Sequence, residues 1–474
     1  MKYKKISFSN HPILGTLSLD LVNPKTGDPY QNVILVGDNG IGKTVLLQFL
    51  STFNPQMHME NIGAAHMEIE MSDEDVQRVF TQYRNSPFNP FQAEDLTARL
   101  LSLDYDSTKE QSPNCEGEIT NILGGKKKTH GATFSSIFRS IFSRAEISFS
   151  PHPISSVTSQ EIDQEELKQR QSTENLSTEI KQLFIDINTQ DAVECQEWVD
   201  AHVGVVPPDL VKHRRLKRFT KAFDNMFPTK RLLRVSSHRG NIDVLFEENG
   251  RQMSIDNLSS GEKEIVFRGA FLLRDKQSVS GCVALVDEPE LSMHPKWEMK
   301  ILDYYKDLFR NEQNQQQCQL FIATHSVYVL KAALESSSDS LVVVLNRDAH
   351  GSVQCNSVTA PNKLSTITSA ETSYLAFGIY SIDYHIELFS EYQSRINVSS
   401  IKKVDQAIMA TPEYNSNLAN NHKHSDYRDA NGQLVCSYET VCCLVRNHID
   451  HPATSAPYTE EDLVNSIELL RSLL

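Results

Sequence analysis

The chain has 474 residues, 39% of them hydrophobic and 23% charged, which fits a packed globular protein and argues against wholesale disorder. Its length exceeds one average domain, so two structural parts are expected. The longest apolar runs, residues 283–286 and 341–345, are far shorter than the roughly 18 residues of a spanning helix, which excludes the membrane half of a transporter. A formal charge of −15 argues against non-specific coating of nucleic acid, and eight scattered cysteines without a C-x-x-C pair point to reduced thiols rather than zinc or disulfides.

The start, Met1-Lys2-Tyr3-Lys4-Lys5, runs into an alternating segment without the apolar stretch of a secretory signal, so a cytoplasmic location is expected. Residues 32–36 then form a short apolar strand, followed by Gly37-Asp38-Asn39-Gly40-Ile41-Gly42-Lys43-Thr44, which matches G-x-x-x-x-G-K-[ST]. Strand, loop and helix is the context this motif requires. The glycines let backbone N–H groups turn inward, the next helix directs its positive end at phosphates, Lys43 reaches β and γ oxygens, and Thr44 offers a hydroxyl to Mg²⁺.

Beyond this loop the sequence is longer than a compact nucleotide-binding head needs before its next motif. Residues 104–130, with Pro113, Gly124-Gly125 and Lys126 to Lys128, read as a loop; residues 159–196 read as helices without a sustained heptad. Lys212, Arg214, Arg215, Lys217, Arg218, Lys221, Lys230, Arg231 and Arg234 crowd positive charge together, as a solvated helix face or a contact for nucleic acid or a partner.

Next, Leu258-Ser259-Ser260-Gly261-Glu262 leads into an apolar run over 265–273, a cap opening a helix and a second potential anion site. Cys282-Val283-Ala284-Leu285-Val286 is a buried-type strand ending in Asp287-Glu288-Pro289-Glu290, and Leu320-Phe321-Ile322-Ala323-Thr324 ends in His325. In this order the motifs resemble those of ABC/SMC-like ATPases. The resemblance implies an α/β P-loop NTPase head of ABC type, using ATP and Mg²⁺. It implies that Gly37 to Thr44 bind the nucleotide, that Asp287 and Thr44 bind the metal, that Glu288 is the general base, and that His325 contacts the γ-phosphate. It also implies that Ser259, Ser260, Gly261 and Glu262 act in trans, so a homodimer or higher oligomer is expected. His294 falls where the family's interface loop lies; Gln77 and Gln82 are candidates for the glutamine loop, Tyr3 and Phe8 for adenine stacking.

The implied domains are an N-terminal lobe over 1–100, a helical and loop insertion over 101–220, a C-terminal lobe over 221–360, and a helical module over 361–474 for docking or assembly. Leu258 to Gly269, Asp287 to Pro295 and the Arg446-Asn447 to His451-Pro452 tail together resemble the ATPase subunit of bacterial Septu antiphage systems, PtuA, which also accompanies some retrons. That family implies an HNH endonuclease partner, PtuB-like, regulated by the ATPase. A DNA-repair ATPase of RecF, OLD or SMC type acting on DNA itself is the alternative. The R-x4-H spacing of Arg446 and His451 also resembles HEPN ribonucleases.

Overall fold

The computed structural model describes residues 1–59, 62–84, 98–108, 115–145, 176–202, 204–207, 214–238, 241–273, 281–311, 313–429 and 431–474. The chain divides into two compact units, Met1–Ser357 and Val358–Leu474.

The first unit is built on a six-stranded sheet ordered β15-β14-β3-β13-β12-β8. Its strands are β3 (Asn32–Gly37), β8 (Ser140–Ser143), β12 (Val283–Asp287), β13 (Gln319–Ala323), β14 (Ser340–Arg347) and β15 (Val353–Val358). β14, β3, β13, β12 and β8 run parallel. Every residue of β3, β12 and β13 is buried, which is why these strands read as unbroken apolar runs rather than alternating ones. The register places Asp287 beside Ala323 and Ala323 beside Leu35, so three strand ends lie level at one carboxyl edge. In open parallel sheets that edge is where ligands bind.

A second sheet, ordered β2-β1-β4-β5-β6-β7, is antiparallel: β1 (Lys2–His11), β2 (Gly15–Asp20), β4 (Ala64–Glu70), β5 (Ala98–Asp106), β6 (Cys115–Asn121) and β7 (Lys126–His130). Helix α1 (Lys43–Thr52) buries Leu46, Leu47, Phe49 and Leu50 in the core these sheets share. There Phe8 and Phe49 meet edge to face at 4.8 Å.

Three expectations fail in this region. Of residues 104–130, the described ones, 104–108 and 115–130, are not a loop: Leu101, Leu103 and Tyr105 alternate inward on β5, Cys115 and Ile119 do so on β6, and Gly124-Gly125 only turn β6 into β7; residues 109–114 lie outside the described residues. The lysines at 126–128 lie along an edge strand, where charge discourages pairing with another sheet. Nor does an insertion begin at 101, because β5 to β8 complete the two sheets through Ser143. Tyr3 and Phe8 are fully buried core residues and cannot stack on adenine. Gln77 and Gln82 sit exposed on helix α2 (Asp73–Gln82).

Helices α3 (Leu176–Ala201) and α4 (Arg214–Met226) accompany a three-stranded antiparallel sheet, β9 (Lys230–His238), β10 (Asn241–Glu248) and β11 (Arg251–Ser254). Phe184, Phe219, Phe223 and Phe246 form a chain of ring contacts between them. Residues 159–175 of the helical segment read from sequence lie outside the described residues. Helix α5 (Ser260–Leu273) follows, and α6 (Pro295–Leu308) and α7 (Val327–Glu335) connect the core strands.

The second unit carries helices α8 (Ser369–Phe377), α9 (Ile382–Arg395), α10 (Ile401–Met409), α11 (Pro412–Ser416), α12 (Leu418–Asn421), α13 (Val441–Asp450) and α14 (Glu460–Leu473). It is not purely helical, since β16 (His422–Arg428) and β17 (Leu434–Thr440) form a hairpin within it. Its own core gathers Leu388, Phe389, Val404, Val441, Cys442, Ile467 and Leu470. Among the described residues no helix is long and apolar enough to cross a membrane.

Candidate nucleotide site

The loop after β3 wraps a lysine. Lys43 Nζ donates to the carbonyl oxygens of Gly37 at 2.8 Å and Asp38 at 3.1 Å. Burial pulls its pKa down, opposed by the charges of Glu288, Asp287, Asp38 and Glu290. Gly42 has φ 112°, and a Cβ there would lie 2.5 Å from Leu14 Cδ2, so only glycine fits this bend into α1. Ile41 is buried as an anchor while Asp38, Asn39 and Gly40 are exposed. Behind them the first N–H groups of α1 lack intrahelical acceptors, the usual donor set for an anion.

The acids come from the end of β12. Thr44 Oγ1 donates to Asp287 Oδ2 at 2.9 Å, tying the loop to the strand. Successive side chains of a strand point to opposite faces, yet both Asp287 and Glu288 act on Lys43. The reason is that the strand stops at Asp287 and Glu288 adopts φ 44°, a left-handed conformation rare for a side chain with a Cβ. Its N–H is held by Ala323 O at 2.8 Å. Its carboxylate stands 3.5 Å from His325 Nε2, within ion-pair range, and the backbone N–H of His325 donates to Glu290 Oε1 at 2.6 Å.

Burial raises the pKa of Asp287, opposed by the bond from Thr44; burial likewise raises that of Glu290, opposed by the His325 N–H. Asp287 Oδ1 is buried without a hydrogen-bond partner. An unpaired carboxylate oxygen beside a threonine hydroxyl is a set of hard oxygen donors suited to Mg²⁺.

At the start of α5, Ser259 and Glu262 form a reciprocal cap: Ser259 N–H donates to Glu262 Oε2 at 2.9 Å, and Glu262 N–H to Ser259 Oγ at 3.4 Å. Lys230 bridges Glu262 and Glu248 at 2.9 Å each. Burial would raise the pKa of Glu262, but the bonds from Lys230 and Ser259 hold it below the usual range. A Cβ on Gly261 would lie 2.7 Å from Ser292 O and 3.0 Å from the Trp297 ring, so this glycine permits close seating of α5. Ser259 and Ser260 are exposed.

Residues 37–44, Asp287, Glu288 and His325 are thus gathered at one edge. Among the described residues no hydrogen bond or ion pair joins residues 259–262 to residues 37–44. Glu262, expected at the nucleotide, is engaged in the cap. His294 is the cap of α6, accepting from Lys296 N–H at 3.1 Å. In the second unit Arg446 pairs with Asp450, and the His451 ring stacks on Tyr427 at 4.6 Å. Each is held by its own neighbour.

Three residues with no place in the motif reading prove structural to the site: Lys230, Glu290 and Arg268. Arg268 is entirely buried and bonds the carbonyl oxygen of Asp287 at 2.9 Å. Its signal was present in the sequence as a single charge inside the apolar run of α5, with Glu264 one turn before it.

Residues 151–331 match the family model described as "AAA domain, putative AbiEii toxin, Type IV TA system", under half of the chain. A curated relative, "Retron Vc95 probable ATPase" of Vibrio cholerae serotype O1 biovar El Tor, is 26% identical over 184 residues, covering 37% of this chain. The chain spans about a third (32%) of that relative's length. Among solved structures, an SMC head bound to the C-winged helix domain of ScpA is similar at a TM-score of 0.40 and 13% identity, covering 76% of this chain and 98% of that one. The SMC head domain from Thermotoga maritima gives 0.33 and 14%, covering 76% and 100%. The strand order and loop geometry above are those of an α/β P-loop fold, and residues 151–331 resemble an AAA domain.

Proposed function

We propose that the chain binds ATP with Mg²⁺ at residues 37–44 and hydrolyses it slowly in composite sites between two heads. The observation that carries this is the convergence of Thr44, Asp287, Glu288 and His325, up to 281 residues apart in sequence, at one strand edge. Loop N–H groups and Lys43 hold the phosphates. Thr44 and Asp287 hold Mg²⁺, which when bound neutralises phosphate charge. Glu288, on the free side of the bend at φ 44°, orients a water and accepts its proton at a carboxylate oxygen while His325 contacts the γ-phosphate.

The exposed end of α5 supports the trans arrangement, because Ser259 and Ser260 are exposed at a helix N-terminus. Glu262 then serves by fixing that end. The role proposed for the cycle is control of an HNH endonuclease partner in antiphage defence, with Val358–Leu474 as the docking or assembly module. The likeness to a retron ATPase and the resemblance of the motif runs to those of Septu ATPases support this.

The second reading, an ATPase acting directly on DNA, is favoured by exposed Lys217 and Lys221 on α4 and Arg231 and Arg234 on β9. Tight, salt-sensitive DNA binding by the purified chain alone would support it over nuclease control. The direct test of the nucleotide reading is Glu288→Gln. It should bind ATP, turn over about 10²- to 10⁴-fold more slowly, the range a general base contributes, and accumulate as a nucleotide-bound dimer by light scattering. Wild-type turnover in this variant would remove Glu288 from the role.

A further inference from the structure

Arg268 donates from Nη1 to Asp287 O at 2.9 Å and Ser143 Oγ at 3.3 Å, and from Nη2 to Ala145 O at 2.7 Å and Glu288 O at 3.5 Å. Its Nε bonds the Glu264 carboxylate. One side chain of α5 therefore touches the ends of β8 and β12 and both backbone carbonyls of the acid pair. The planar guanidinium fork suits this, since it fixes several acceptors at once in a way an ammonium does not.

Two physical points say what the arrangement is for. A buried ion pair such as Arg268 with Glu264 is weak ground for stability, because apolar replacements of equal volume are often neutral or better. A left-handed Glu288, by contrast, is strained and persists only where its surroundings over-determine it. That turn is held at the Glu288 N–H by Ala323 O, at the Glu288 carbonyl by the Leu291 N–H at 3.3 Å and Arg268 at 3.5 Å, and at the Asp287 carbonyl by Arg268 at 2.9 Å.

We propose that Arg268 is a positioning residue for hydrolysis: it clamps the Asp287–Glu288 turn in the conformation that brings both carboxylates to the phosphate loop, and thereby fixes the acid pair to the helix whose N-terminus meets the partner head. This rests on the reading of Glu288 as the general base. Arg268 touches no substrate.

Arg268→Met alone would strand the buried Glu264 carboxylate, so the informative variant is Arg268→Met with Glu264→Leu, which removes both charges and keeps the volume apolar. The readouts on the full chain are the thermal transition, the Kd for AMP-PNP with Mg²⁺, and kcat for ATP. The expected result is a cooperative transition, a Kd within about three-fold of wild type, and a kcat lower by about 10²-fold, the scale of a small misplacement of reacting groups. A folded double variant with kcat within about two-fold of wild type overturns the proposal. Should the double variant lack a cooperative transition, Arg268→Lys decides. It keeps a cation opposite Glu264 but loses the fork, so kcat should fall at unchanged Kd, and wild-type kcat would again overturn the proposal. An inactive wild-type chain would instead defeat the reading of the site as an ATPase, so the two failures are distinguishable.

Discussion

Glu288 shows how one backbone angle sets the chemistry. At φ 44° it turns out of the strand's alternation, so that Asp287 meets Thr44 while Glu288 meets His325. Lys43 lies between them, and Lys43→Ala removes the charged donor to the phosphates. ATP affinity should drop by roughly ten- to a hundred-fold, the scale of a charged hydrogen bond at 1.5–3 kcal/mol, as read by titration with a fluorescent ATP analogue. Asp287 carries the opposite sign of effect on stability. Burial raises its folded-state pKa above the unfolded value, so its contribution is full below the unfolded pKa and is lost as pH rises through the folded one. Without metal or nucleotide, Asp287→Asn should therefore raise the melting temperature. The gain should be on the order of 0.5–2 kcal/mol and should widen as pH rises above the ordinary aspartate value of about 4 and the wild-type carboxyl ionises. Turnover should be abolished in the same variant. A melting temperature unchanged across that pH range would show that the buried carboxylate costs the fold nothing.

At the scale of elements, the site is an assembly of ends: the close of β3, β12 and β13 and the opening of α1, to which the opening of a partner's α5 is proposed to add. Each end is pinned by a contact from elsewhere in the chain. Lys230, at the start of β9, pins the cap of α5 through Glu262 and shares its charge with Glu248. Lys230→Ala leaves the largely buried Glu262 without its cation. Chemical denaturation should show a loss of about 1–3 kcal/mol, and ATPase activity should fall more than nucleotide binding if, as proposed, the cap faces the partner rather than the chain's own loop. Equal losses in binding and turnover would argue that α5 supports its own P-loop instead.

For the whole molecule, the proposed trans arrangement makes dimerisation the testable requirement, since among the described residues no hydrogen bond or ion pair joins residues 259–262 to residues 37–44. Lys43→Ala and Ser259→Arg homodimers should both be inactive, the first through its phosphate loop and the second through bulk and charge at the end of α5. Mixed under subunit exchange, half the dimers carry one intact pair of half-sites, so activity should return to about a quarter of wild type for a two-fold symmetric assembly. Subunit exchange shown by mass, with no recovered activity, would rule out the trans arrangement. If Ser259→Arg alone turned over ATP normally, residues 259–262 would be a plain helix cap.

What the sequence determined alone is the set of local signals with a fixed spacing. Gly37 to Thr44 after an apolar strand, and Asp287-Glu288 and His325 after two more, could be read directly because buried parallel strands are continuous apolar runs and their carboxyl ends carry polar residues at a recognisable place. What only the tertiary structure decided are relations without a local signature. Residues 104–108 and 115–130 read as part of a loop because their strands are short, charged on one face and broken by a glycine turn; pairing that begins at β4 supplies the order that composition hides. Tyr3 and Phe8 became core only when a second sheet closed over α1. Arg268 stood in plain view as a charge in an apolar helix, but its acceptors are backbone carbonyls and a hydroxyl on β8 and β12, and backbone groups carry no residue-specific mark in a sequence.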